Sequence, residues 1–252
     1  MARRFSVTLR AVDKATVLHR LAEDNPAFHY ISEDAAVEVV AAGFPITAGE
    51  FNLSVCASVL QWIADHVTED MNTIETGAGQ TTVLFAALAK HHYCCTFISD
   101  EVRKIRGYLQ TIGVPTEKVT FLEGSSDRML AQLSIDEPLD FAFVDGCHGY
   151  PFPALDWHYI DQRLKVGGIL GMDNAELRPV REHCEFLEEN GSYRRVELIS
   201  IGDYNVRFYE KLRDENREWA YQKYSIPKKS RLVDDRLLSR IRRRVAGWLD
   251  PA

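Results

Sequence analysis

Three oxygen-bearing side chains, Asp145, Asp173 and Asn174, are spaced so that they can act together. Asp145 ends the apolar run Phe141 to Val144, and the Asp173-Asn174 pair ends a second run, Ile169 to Met172. Between them lies a helix-like segment and then a Gly167-Gly168 turn. A strand, a crossover helix and a second strand of this length form a right-handed βαβ unit, which brings both strand C-termini to one edge of a parallel sheet. The three side chains then face one another across a crevice of the kind where open α/β sheets bind ligands. Two carboxylates and an amide oxygen converging there suit a hard divalent cation such as Mg²⁺.

Three further strand ends carry polar groups toward the same edge. Glu75-Thr76-Gly77-Ala78-Gly79-Gln80-Thr81-Thr82 closes one strand and opens a helix. Its glycines allow a tight turn and close backbone approach, and the helix N-terminus favours a carboxylate or phosphate. As a dinucleotide fingerprint it fails at Thr82, which stands where Gly or Ala permits close helix packing. Asp100-Glu101 follows the next strand, where an acid can accept both hydroxyls of a ribose or serve as a helix cap; which of the two does which is open. Gly124-Ser125-Ser126-Asp127 follows the third and offers hydroxyl and carboxylate groups to a purine edge, or again a cap.

The elements that must position these groups alternate regularly from Asn72 onward. Strands are expected near 72–76, 93–99, 118–123, 139–145 and 167–173, and helices near 80–90, 101–112, 126–133, 152–165 and 178–190. Val102, Ile105, Leu109 and Ile112 form the buried stripe of the second helix. YRRVELISI and YNVRFYEKL, separated by Gly202-Asp203, form an antiparallel hairpin that closes the sheet. The fold class is therefore α/β: a doubly wound, Rossmann-like, mostly parallel seven-stranded sheet with helices on both faces. Upstream, Thr47 and Glu50 read as a capping box for a helix with Cys56, Val59, Leu60, Ile63 and Val67 on one face. Three units are expected: an N-terminal helical arm or lid at 1–46, the core at 47–212, and a charged tail at 213–252.

Taken in order, these strand-end groups and the closing hairpin resemble the class I S-adenosylmethionine-dependent methyltransferases over roughly residues 47 to 212. More closely, FVDGCHGY followed by LKVGGILGMDN resembles the cation-dependent small-molecule O-methyltransferases of the catechol type and their bacterial tailoring relatives. The resemblance implies Mg²⁺ held by Asp145, Asp173 and Asn174. It implies S-adenosylmethionine with its methionine part along Glu75, Gly77, Ala78, Gly79 and Thr81, its ribose at Asp100 or Glu101, its adenine at Ser125, Ser126 and Asp127, and its sulfonium near Asp145. Catechol-type enzymes have a lysine base three residues after the first metal acid. Here that residue is His148, whose imidazole can take the proton of a metal-acidified hydroxyl. The departure points away from catechol and toward a sugar or antibiotic hydroxyl. Asp156, Trp157 and His158, on the crossover helix, are read as solvent contacts and packing.

Composition narrows the classes further. With 252 residues, 46% of them hydrophobic, the chain can bury one full core. A net charge of −7 gives no general basic footprint, so nucleic acid is not an expected partner; a small-molecule acceptor is. Five cysteines in no metal-ligand spacing fit reduced thiols in a cytoplasmic protein. No transmembrane run is present. The tail is locally basic, with eight Lys or Arg against two Asp between 228 and 244. On a helix Leu237, Leu238, Ile241, Val245 and Trp248 fall on one side. That makes the tail a candidate for packing on its own core or on a second copy in a homo-oligomer, and for peripheral membrane contact.

Overall fold

The computed structural model describes residues 12–31, 49–51 and 55–225. In chain order these form α1 (Lys14–Asp24), β1 (His29–Ile31), β2 (Gly49–Phe51), α2 (Ala57–His66), β3 (Asn72–Thr76), α3 (Gln80–Leu88), β4 (His91–Thr96) and α4 (Ser99–Thr111). There follow β5 (Val119–Glu123), α5 (Ser126–Gln132), β6 (Leu139–Val144), α6 (Phe152–Asp161), β7 (Leu164–Met172), α7 (Arg178–Asn190), β8 (Tyr193–Ile201) and β9 (Tyr204–Lys211). The strands β3 to β9 make one sheet in the order β5-β4-β3-β6-β7-β9-β8; all neighbours are parallel except β7/β9 and β9/β8. This is the expected seven-stranded sheet with its antiparallel hairpin.

Side-chain alternation along the central strand explains the two-layer cover. On β6, Phe141 and Phe143 enter one apolar cluster and Ala142 and Val144 the other, as a period of two requires. The first cluster joins them to α1, α2, α3 and α4 through Val17, Val59, Val83 and Ile105. The second joins α5, α6 and α7 through Leu130, Trp157 and Val180. Helix α3 is buried from Gln80 to Ala86, which is why its sequence shows no polar face. Val17 and Leu21 of α1 share the core with Val59 and Val83, so α1 is packed into the domain.

Several boundaries differ from the sequence expectation. Strand β7 begins at Leu164 and runs through Gly167-Gly168, which form a bulge and not a turn: Leu139 faces Leu164, but Phe141 faces Ile169. Gly167 has φ +83, a conformation glycine adopts without steric cost, so the strand bends and continues. Strand β4 ends at Thr96 and α4 starts at Ser99, which puts Asp100 and Glu101 inside the first helical turn with Ile98 as N-cap. Helix α2 starts at Ala57 with Cys56 as N-cap, and Glu50 lies in β2, so the Thr47-Glu50 pair does not begin it. Thr47, residues 32–46 of the expected N-terminal arm and the basic tail helix lie outside the described residues. All five cysteines are free thiols, and no helix among the described residues is long and apolar enough to cross a membrane.

Candidate active site

The strand ends are stitched to one another by backbone hydrogen bonds that extend the ladder past each strand. Gly77 N donates to Cys95 O at 2.9 Å, Gly124 N to Thr96 O at 2.9 Å, Asp145 N to Thr76 O at 3.1 Å and Asp173 N to Val144 O at 3.0 Å. The polar groups after β3, β4, β5, β6 and β7 are thereby fixed in one row, along a cavity of about 1040 Å³. Gly77 is required where it stands. Its φ is +84, and a Cβ there would lie 2.1 Å from the Asp145 carbonyl oxygen.

Gly77, Ala78, Gly79, Thr81, Glu101, Ser125 and Ser126 line the cavity. Glu75, Asp100 and Asp127, expected beside them, do not line it. Glu75 is fully buried beneath the loop, where it accepts from the Thr82 hydroxyl and meets His92 Nε2 at 3.1 Å. Thr82 Oγ1 also accepts from Gly79 N at 2.9 Å. The residue that spoils the dinucleotide fingerprint therefore ties the loop to a buried acid. Cys94 joins this network, donating to Gly77 O at 3.3 Å; burial, and then Glu75, push its thiol well up. Asp100 is half exposed and paired with Arg103, whereas Glu101 is buried and accepts from Thr96 Oγ1 at 3.0 Å. Asp127 accepts from the Ser125 hydroxyl.

Asp145, His148, Asp173 and Asn174 line the same cavity. One ligand atom each from Asp145, His148 and Asp173 falls within 4.8 Å of the others; His148 Nε2 stands 3.7 Å from Asp145 Oδ1, too far for a direct hydrogen bond. Burial, and then the facing Asp173, push the Asp145 carboxyl well above the usual carboxylate range. Burial raises Asp173 as well, although the Tyr204 hydroxyl, which donates to Asp173 Oδ1 at 2.6 Å, pulls it down. Burial lowers His148 from its ordinary value, against the pull of Asp173 and Glu176. Asn174 adopts a left-handed φ of +49 and donates its amide nitrogen to Glu176 Oε1 at 2.7 Å.

Residues 74–175, the span from β3 to just past β7, match the family model described as a methyltransferase domain. Over this segment the chain is similar to a methyltransferase domain. No curated protein matches the chain. Among solved structures, a Klebsiella pneumoniae protein provisionally described as an O-methyltransferase superposes with TM-score 0.57 at 19% identity, over 78% of this chain and 90% of its own. The O-methyltransferase TomG of Streptomyces achromogenes, involved in tomaymycin synthesis and solved with S-adenosylmethionine, gives 0.55 at 19% identity, over 71% and 88%. An rRNA methylase of Streptococcus thermophilus gives 0.52 at 17% identity, over 62% and 96%. At these identities the likeness is one of fold. Because an rRNA methylase shares it, the expectation that excludes nucleic acid gains no support from the fold.

The cavity also holds groups the sequence reading missed. Tyr204 and Glu176 line the cavity beside the acids. Tyr204 was within reach: β9 runs antiparallel to β7, so its first residue must stand at the edge where β7 ends. Glu176 carried no motif. Asp156 of α6, one of three residues read as making solvent contacts and packing, is fully buried. It faces the hydroxyls of Thr76 and Ser126 without a well-formed hydrogen bond, and burial pushes its carboxyl up to about 6.

Proposed function

We propose that this methyltransferase moves the methyl group of S-adenosylmethionine to a hydroxyl of a small molecule, assisted by Mg²⁺ and with His148 as general base. The observation that carries the reading is that Asp145, His148 and Asp173 converge within 4.8 Å on the same cavity as the glycine loop. In this reading the methionine part of the cofactor lies along Gly77 to Gly79 and Thr81, the ribose at Glu101 and the adenine at Ser125 and Ser126. Glu75, Asp100 and Asp127 act from outside the cavity: Glu75 by holding the loop, Asp127 by holding Ser125, and Asp100 through the first turn of α4.

The donor set fits the ion. Asp145 and Asp173 face each other with both carboxyls raised, an arrangement that a bound divalent cation would relieve, and Asn174 lines the same cavity. Asp145, Asp173 and Asn174 would hold Mg²⁺, with water and acceptor supplying the remaining ligands. When bound, the ion lowers the pKa of an acceptor hydroxyl and offsets charge developing on its oxygen. Tyr204 fixes the orientation of Asp173. His148, whose pKa burial lowers, takes the hydroxyl proton as the oxygen attacks the methyl carbon in line and the sulfur of S-adenosylhomocysteine leaves. The rest of the rate comes from holding donor and acceptor in one closed row of groups. The five free thiols support a cytoplasmic location.

A metal-independent reading is favoured by one observation: Asp173 already has a hydrogen-bond donor in Tyr204. The discriminating assay follows release of S-adenosylhomocysteine over a panel of sugar, phenol and macrolide hydroxyls, with Mg²⁺ and with excess chelator. Turnover that stops with chelator and returns with Mg²⁺ is expected. Undiminished turnover would assign the metal-independent route.

A further inference from the structure

We propose that His29, on the N-terminal strand β1, is a cofactor-positioning residue that sets the carboxylate of Glu101 for the ribose; the inference rests on reading the cavity as the S-adenosylmethionine site. His29 belongs to none of the strand-end motifs and lies more than forty residues before the glycine loop. Its side chain nonetheless lines the cavity. Nδ1 stands 2.7 Å from Glu101 Oε1, in a pair whose side chains are 16% and 5% exposed. Thr96 Oγ1 donates to the other oxygen, Oε2, at 3.0 Å. Glu101 is thus gripped at both oxygens, from a strand end on one side and from β1 on the other. The remaining lone pairs of a carboxylate so held keep a fixed direction, the condition for accepting two neighbouring hydroxyls side by side.

The other imidazole nitrogen, Nε2, lies 3.8 Å from where a Cβ on Gly79 would stand. The ring therefore bridges the gap between the glycine loop and Glu101. Its place is set from both helices that frame the cavity. Phe28 is buried and packs edge-on against Tyr108 of α4 at 5.9 Å, and the Tyr108 hydroxyl donates to Asp24 Oδ2 at 2.7 Å. Gln80, the first residue of α3, donates to Asn25 Oδ1 at 3.4 Å. Residues 24–29 are thus anchored to the helix that carries Glu101 and to the helix that follows the glycine loop. A surface ion pair needs none of this support. A residue that fixes a ligand-facing carboxylate does.

Calorimetric titration with S-adenosylhomocysteine and with 5′-methylthioadenosine, which keeps the ribose but lacks the amino acid, tests the inference. The proteins compared are the unmodified chain, His29→Leu, His29→Asn, Glu101→Gln and the double variant His29→Leu/Glu101→Gln. His29→Leu is expected to weaken both probes about tenfold, and His29→Asn, whose amide nitrogen replaces Nδ1 as donor, to recover most of the loss. The double variant should bind no more weakly than Glu101→Gln alone, because the two act through one interaction. If His29→Leu does not fold, His29→Asn against His29→Ala makes the same comparison. Unchanged binding in His29→Leu, a loss confined to S-adenosylhomocysteine, or losses that simply add in the double variant would overturn the assignment. An unmodified chain that binds neither probe overturns the cofactor reading beneath it.

Discussion

Tyr204, Asp173 and Asp156 differ in what their surroundings ask of them, and substitution separates their roles. Tyr204 donates to one oxygen of Asp173, as partners behind a metal ligand do, so Tyr204→Phe is expected to raise the Mg²⁺ concentration for half-maximal activity about 10–100-fold. Asp173→Ala should reduce turnover far more than Asp156→Asn, since in the proposed mechanism only the first faces the reacting groups. Asp156 instead affects stability. Its carboxyl is pushed up to about 6 by burial, against an ordinary 3.8, so the folded chain holds a proton that the unfolded chain releases between those values. Its contribution is most favourable below about pH 4 and is lost as pH rises through 6, at most roughly 3 kcal/mol. Asp156→Asn should therefore stabilise the protein at pH 7.5 and leave it unchanged near pH 4, measured by urea unfolding at both. An equal gain at the two pH values would show that the carboxyl is not raised.

At the scale of elements, the strand ends and their turns decide whether the cavity exists. Gly77→Ala must push aside the Asp145 carbonyl, 2.1 Å from the new Cβ, whereas Gly167 has a similarly positive φ with nothing within 4 Å. Both substitutions carry the cost of a left-handed conformation, about 1 kcal/mol. Only Gly77→Ala should also abolish binding of S-adenosylhomocysteine, and calorimetry on the two variants checks it. The order of the elements was legible from the sequence because short apolar runs alternate with helical stripes such as Val102, Ile105 and Leu109. Their ends were less legible. Gly167-Gly168 reads as a turn in one dimension, but the pairing of β7 with β6 on both sides of it makes it a bulge. Asp100 and Glu101 were indistinguishable as neighbours; the start of α4 at Ser99 turns one to solvent and the other inward.

For the whole molecule, two apolar layers clamp one sheet, and the row of groups at its C-terminal edge is the consequence. Replacing Phe85, fully buried on α3 and set against Phe141 at 5.3 Å, with Ala should cost about 3–5 kcal/mol, read by urea unfolding. Asp145, Asp173 and Asn174 were legible because a βαβ unit has only one handedness. Tyr204, Glu176 and His29 come to the site from the closing hairpin, the loop after β7 and an N-terminal strand, by contacts no local pattern encodes. The central claim, a cation-assisted S-adenosylmethionine site built on Asp145 and Asp173, is tested most directly by calorimetric titration of S-adenosylhomocysteine and Mg²⁺ into the unmodified protein and into Asp173→Ala. Micromolar cofactor binding in both, with a Mg²⁺ heat present only in the unmodified protein, is the predicted result. Absence of cofactor binding under every condition, or a Mg²⁺ heat that survives in Asp173→Ala, would contradict it.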